Sequence, residues 1–179
     1  DSDQRDIGAR LEYYREHDRD LFRRWSIWAS TQRAVRFNNK LYRQSARFSG
    51  WTVVTANTGF WAAVDIEKRP PYTDHTFESQ IWWNDQSLYT GGAVNGTLGK
   101  IGGADYLLVG VNQGIHPLRY VTMELRSDYR RREFPVGHRY RPDGDTENRF
   151  QTVGTLQYDI TPEHAVSGRI IYSDNWDDT

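Results

Sequence analysis

The chain of 179 residues carries 23 Lys and Arg against 24 Asp and Glu, a formal net charge of −1, and no cysteine. That balance gives no electrostatic case for a nucleic-acid partner, whose binders present a basic face, and the missing thiols exclude disulfides, thiolate catalysis and Cys-based zinc or iron–sulfur sites. Leu, Ile, Val and Phe number only 37, too few for a thick two-layer core, while 7 Trp, 11 Tyr and 7 Phe set in long alternating stretches argue against disorder.

Ile7, Ala9, Leu11 and Tyr13 alternate with Gly8, Arg10, Glu12 and Tyr14, the period of a strand with one greasy and one polar face. After the polar run Glu16 to Asp20, a second strand is expected with Leu21, Trp25, Ile27, Ala29 and Thr31 opposite Arg24, Ser26, Ser30 and Gln32; Arg23 and Trp28 break the rule. A helix competes there, because Leu21, Trp25 and Trp28 fall at i, i+4 and i+7, but the β-favouring run Trp25 to Thr31 decides for a strand. Phe37-Asn38-Asn39-Lys40 signals a turn. A third strand from Tyr42 to Thr55 sets Ala46, Phe48, Gly50, Thr52, Val54 and Ala56 against Ser45, Arg47, Ser49, Trp51 and Thr55.

Asn57-Thr58-Gly59 is a short turn, Phe60, Ala62, Val64 and Ile66 mark a fourth strand, and Pro70-Pro71 ends it, since proline cannot extend a ladder. Phe77, Ser79, Ile81 and Trp83 mark a fifth. Six glycines between Gly91 and Gly103 read as a loop or as bulged strand edges. Tyr106 to Val111 is a short sixth strand. In the seventh, Arg119, Val121, Met123, Leu125, Ser127 and Tyr129 oppose Tyr120, Thr122, Glu124, Arg126 and Asp128. Arg130 to Asn148 reads as a long polar loop. A final hairpin, Phe150 to Ile160 and Val166 to Tyr172 around Thr161 to His164, supplies strands eight and nine.

One architecture reconciles scarce aliphatics, abundant aromatics and long alternation: a closed sheet with one face to lipid and the other to water. The expected fold class is therefore all-β, an antiparallel up-and-down transmembrane β-barrel segment of about nine strands, with residues 1–179 as a single unit. Tight turns alternating with long polar loops (Pro70 to His75, Arg130 to Asn148) fit that class. No apolar run approaches the roughly 18 residues of a membrane-spanning helix. The odd strand count, the start at Asp1 without Met and the end just after a strand lead us to expect cuts within a longer protein.

Arg10, Arg24, Arg47, Arg126 and Arg169, with Glu12, Glu124 and Asp159, all on polar faces, are expected to line the barrel interior as a packed ionic plug or a pore lining. Glu124 and Asp128 lie about 13 Å apart along one strand at 3.3 Å per residue, too far for a glycosidase pair, so pairing with Arg126 is the better reading. Trp25, Trp28, Trp51, Trp61, Trp82 and Trp83 suit an interfacial aromatic girdle. Asp143, Asp145 and Glu147 alternate like calcium ligands, but the glycine and later Glu of an EF-hand are missing, and a solvated loop is favoured.

The five histidines are scattered and read as isolated, exposed residues. Gly91 to Ile101 fails the phosphate-loop pattern at Val94 and Ile101, and Asn95-Gly96-Thr97 matches the glycosylation sequon by accident. No cofactor is called for and no constellation names an enzyme.

The segment Leu21 to Asp74, with VRFNNKLYRQS from Val35 and NTGFWAAVDIEKRPPYTD from Asn57, and later LQYDITPEHAVSGRIIYS from Leu156, resembles the C-terminal β-barrel region of bacterial outer-membrane proteins that carry an N-terminal family-9-like carbohydrate-binding domain. The resemblance implies a barrel with no established enzymatic role and no catalytic residues to carry over. The expected partners are a lipid bilayer and other outer-membrane or periplasmic proteins, in the outer membrane of a Gram-negative bacterium, with a passive pore, receptor or scaffold as the function. The alternative is a soluble β-sandwich or jelly-roll that binds or cleaves carbohydrate through Trp and carboxylates.

Overall fold

The computed structural model describes residues 4–17, 22–37, 40–54, 57–84, 90–161 and 163–178. Leu21, the Asn38-Asn39 turn pair, Thr55, Ala56 and Pro162, all used in the sequence reading, lie outside them. Ten strands follow in order: β1 (Gln4–Glu16), β2 (Phe22–Arg36), β3 (Leu41–Val54), β4 (Thr58–Arg69), β5 (Tyr72–Trp83), β6 (Thr90–Ile101), β7 (Ala104–Leu118), β8 (Val121–Phe134), β9 (Asp145–Thr161) and β10 (His164–Asp178). They form one antiparallel up-and-down sheet in sequence order, not the two sheets of a sandwich or jelly roll. β1 and β10 do not pair with each other, so the sheet is open at both edges.

The alternation expected for each strand holds, because successive side chains of a pleated chain must point to opposite faces. Trp28 is no exception: it stands opposite Glu12 and Ser49 on the polar side. Three expectations are corrected. The glycine-rich stretch is a full strand, β6, hydrogen-bonded to β5 and β7, which raises the count from nine to ten. Pro70-Pro71 is a two-residue turn and β5 resumes at Tyr72. The long loop shrinks to residues 135–144, because Arg130, Arg131 and Arg132 pair with Arg149, Asn148 and Glu147 and carry both strands outward. With Pro70-Pro71 a tight turn at the same end of the sheet as residues 135–144, the expected grouping of the long loops is lost.

Gly102-Gly103 closes the β6–β7 hairpin with φ of 64° and 82°, both in the left-handed region. A two-residue hairpin turn of that hand matches the twist of the flanking strands, and glycine adopts it without the clash a Cβ would bring.

No conventional core exists. The buried apolar side chains among the described residues are Ala34, Ala63, Ala93 and Ala104. The accessible surface is 12768 Å², whereas a compact globular chain of this mass would expose about 9,000 Å². Much of the excess is apolar: Leu11 and Ile170 are each 78% exposed, and Phe48 is 58% exposed.

Those exposed residues share one face. Leu11, Ala29, Phe48, Val64, Phe77, Leu98 and Leu107 stand opposite one another across β1 to β7. The same row then runs into Arg131 and Asn148 on β8 and β9. On β8 to β10 the greasy residues sit higher in the ladder, as Met123 opposite Leu156 and Val121 opposite Tyr158 opposite Val166. The apolar belt thus climbs across the hydrogen-bonded rows, as it must when strands tilt relative to the belt. Charges on this face gather near strand ends, where Lys100 meets Asp105 at 3.6 Å and Arg131 meets Glu133 at 3.2 Å.

Candidate functional site

The opposite face is polar on every strand, and it divides into a packed half and a hollow half. Over β1 to β5, arginines are neutralised one by one. Arg10 lies 2.8 Å from Glu12, and Arg24 lies 2.8 Å from Glu16. Arg43 and Arg69 share Glu67 at 2.8 and 2.7 Å, and Arg47 reaches Asp65 at 2.6 Å and Glu78 at 2.9 Å. Tryptophans roof this layer: Arg10 sits 5.3 Å from the Trp28 ring and Arg47 5.4 Å from that of Trp61. A guanidinium over an indole gains cation–π attraction and keeps its fork free for carboxylates. Beneath lie the small residues Ser26, Ser49 and Ala63, all buried; Ser26 donates to Glu12 and Ser49 accepts from Arg47 Nε.

Trp25 and Trp83 stand on the apolar face toward one end of the sheet, where the girdle reading expects them. That expectation is corrected for Trp28, Trp51, Trp61 and Trp82, which the register puts on the polar face. Alternation decides this: each of the four is an odd step from its apolar neighbours. Trp82 covers Gly59 on the adjacent strand, so a Cβ at Gly59 would collide with its ring.

Between β5 and β10 the polar face curves around an open hollow of about 1080 Å³. Its wall includes Arg126, Arg130, Arg149 and Arg169, with Glu124 and Asp128. Arg126 turns to Asp128 at 3.7 Å rather than to Glu124, and it is 74% exposed at the side chain. Arg130 and Arg149 are direct cross-strand partners.

A third feature lies at one end of the sheet. The loop 135–144 folds on itself, with Gly137 N donating to Pro142 O at 2.7 Å and Arg141 N to His138 O at 3.2 Å. It then docks by inserting His138, which is only 4% exposed. The imidazole stacks on Tyr72 (5.2 Å, 12°), meets Phe134 edge-on at 5.0 Å, and lies 2.7 Å by Nε2 from the Gly102 carbonyl. A carbonyl only accepts, so Nε2 carries the proton; Nδ1 accepts from Tyr140 N at 3.3 Å, which fixes a neutral tautomer. Asp74 holds the same corner by accepting from Gly102 N and Gly103 N at 2.8 and 3.0 Å. The expectation of exposed histidines is corrected for His138, whereas His75 and His164 are exposed.

All eight residues expected to line an interior, Glu12 beside Arg10 included, lie on the polar face. Glu124, Arg126 and Arg169 come together in the hollow, while Arg10, Arg24 and Arg47 belong to the packed half. Asp159 stands apart near the end of β9, accepting from Gln157 Nε2 at 2.8 Å. The structure does not gather the calcium candidates. Asp143 is exposed, Asp145 pairs with Arg141 at 3.0 Å and Glu147 faces Arg132 at 3.8 Å. Among the described residues no three His, Asp or Glu side chains are placed to hold a metal.

Sequence reasoning missed Arg130 and Arg149 because both fell at or beside the supposed loop. The signal was there: Glu124, Arg126 and Asp128 continue in the same alternation to Arg130 and Arg132, and Gln151 leads back to Arg149 and Glu147. The chain matches no protein-family model, no curated protein and no solved structure.

Proposed function

We propose that this chain forms part of the wall of an outer-membrane β-barrel, a passive pore, receptor or scaffold whose arginine-bearing face lines a water-filled interior. One observation carries the reading: an exposed apolar belt crosses all ten strands, and among the described residues every ion pair away from the strand ends and loop lies on the other face. In water such a belt would be a severe aggregation liability, well beyond the few hundred Å² of apolar patch a soluble monomer tolerates. Against hydrocarbon it is the solvated state. The belt on β7, Leu107 to Ile115, spans about 26 Å along the strand at 3.3 Å per residue. At a tilt near 40° that is about 20 Å of height, close to the apolar band of such barrels.

The open edges bear on the same reading. Unpaired backbone groups of β1 and β10 would cost several kcal/mol each in lipid. The two edges must therefore close on each other or take in further strands, and the resemblance to outer-membrane barrel regions points the same way.

The cysteine-free sequence makes the test clean. Single cysteines at Val109, Val111 and Leu98 should react only with a lipid-soluble maleimide once the full chain is refolded into vesicles. Cysteines at Asn112, Thr97 and Asn95 should react with a water-soluble one. A monodisperse chain without detergent, labelled alike at both sets, rules out the membrane reading.

A further inference from the structure

The packed half of the polar face gives Arg10, Arg24, Arg43, Arg47 and Arg69 a carboxylate each, and the hollow does not treat its arginines alike. Four arginines, Arg126, Arg130, Arg149 and Arg169, face it with two acids, Glu124 and Asp128, and only Arg126 comes within ion-pair reach of either. Among the described residues, the side chains of Arg130, Arg149 and Arg169 have no hydrogen-bonding or ionic partner. Two further observations single out the lower pair. Arg130 and Arg149 stand directly opposite each other on β8 and β9, where like charges repel at close range. In addition, Arg149 Nε is buried without an acceptor, a condition shared by Arg43 Nε and Arg132 Nε, whose amino groups, unlike those of Arg149, reach a carboxylate. Each guanidinium offers a planar fork that fits a carboxylate or phosphate in two-point fashion.

We infer that the hollow contains a binding site for a small organic oxyanion, a carboxylate or phosphate, clamped between Arg130 and Arg149, with Arg126 and Arg169 drawing the ligand along the wall. The site deepens the proposed function, resting on the polar face being open to water, and gives the interior a preference for anionic solutes. Trp82, on the far wall of the same hollow, offers its ring face to the body of such a ligand.

The experiment is a titration of the full detergent-refolded chain, at low ionic strength, with inorganic phosphate, glucuronate and neutral glucose, followed by calorimetry. Both anions should bind and glucose should not. The double variant Arg130→Gln/Arg149→Gln should bind the anions at least about tenfold more weakly, the loss expected from removing charged hydrogen bonds. Lys68→Gln, on the opposite face, should bind like the wild type. Because the double variant relieves a like-charge contact, it should fold at least as well, and phosphate should raise the Tm of the wild type but not of the variant. Undiminished anion binding in the double variant, or no anion binding by folded wild type, overturns the site. Vesicle labelling separates the two ideas: an inserted chain that ignores anions sinks the site alone, whereas a water-soluble chain that binds anions through these arginines sinks the membrane reading alone.

Discussion

Arg47 on β3 faces Asp65 on β4 across a 2.6 Å contact, and its second amino group reaches Glu78 on β5 at 2.9 Å, so one side chain ties three strands. Both partners are about a quarter exposed and Arg47 about a third, which places the triad between surface and interior. Removing the cation would strand two carboxylates beside each other under Trp61. We expect Arg47→Met to destabilise the refolded chain by about 2 kcal/mol, below the 3–5 of a fully buried pair because water still screens the site. Adding Asp65→Asn and Glu78→Gln should recover most of it. Urea unfolding of the three variants in one lipid would measure the coupling, and simple additivity would disprove it.

Val109, on the greasy belt of β7, pairs with Gly96 and Tyr129. On a water-exposed surface Val109→Arg would change stability by less than about 0.5 kcal/mol. Facing the bilayer it should lose about 2–4 kcal/mol. Thr97→Arg, one step across the sheet and on the polar face, should be tolerated. Equal tolerance of both substitutions in vesicle refolding would contradict a lipid-facing belt.

His138 is the anchor of its loop. His138→Ala gives up the bond to Gly102 O and the stack on Tyr72, together about 1–3 kcal/mol of local stability. Because the loop lies outside the ladder, the loss should show as faster proteolysis within 135–144, with little change in global unfolding. Tyr72→Phe removes only the bond from Arg139 N and should have a smaller effect.

Gly59 lies beneath the Trp82 indole. Gly59→Val should displace that ring and cost about 1–3 kcal/mol through overpacking. Near-ultraviolet circular dichroism would register the lost tryptophan order. An unchanged spectrum would mean that Trp82 does not rest on β4.

The period-two pattern made the faces of β1, β3, β4, β5, β8, β9 and β10 readable residue by residue, including the polar placement of Arg10, Arg47, Arg126 and Arg169. β6 escaped because Gly91, Gly92, Gly96 and Gly99 have no side chains to alternate; it is a strand through bonds to both neighbours. The outward reach of β8 and β9 escaped for a similar reason: Arg130 to Arg132 looked like solvated charge until Glu147 and Arg149 were found opposite.

What the amino-acid order determined by itself is which side of each strand is greasy and which is charged, since that follows from backbone pleating and needs no partner. Tertiary structure alone decided how the strands line up: the climb of the belt across the rows, the pairing of Arg47 with Asp65 and Glu78, the juxtaposition of Arg130 with Arg149, and the burial of His138 against Tyr72. Each depends on register between segments distant in sequence, and register is set by the sum of many cross-strand contacts that no local pattern encodes.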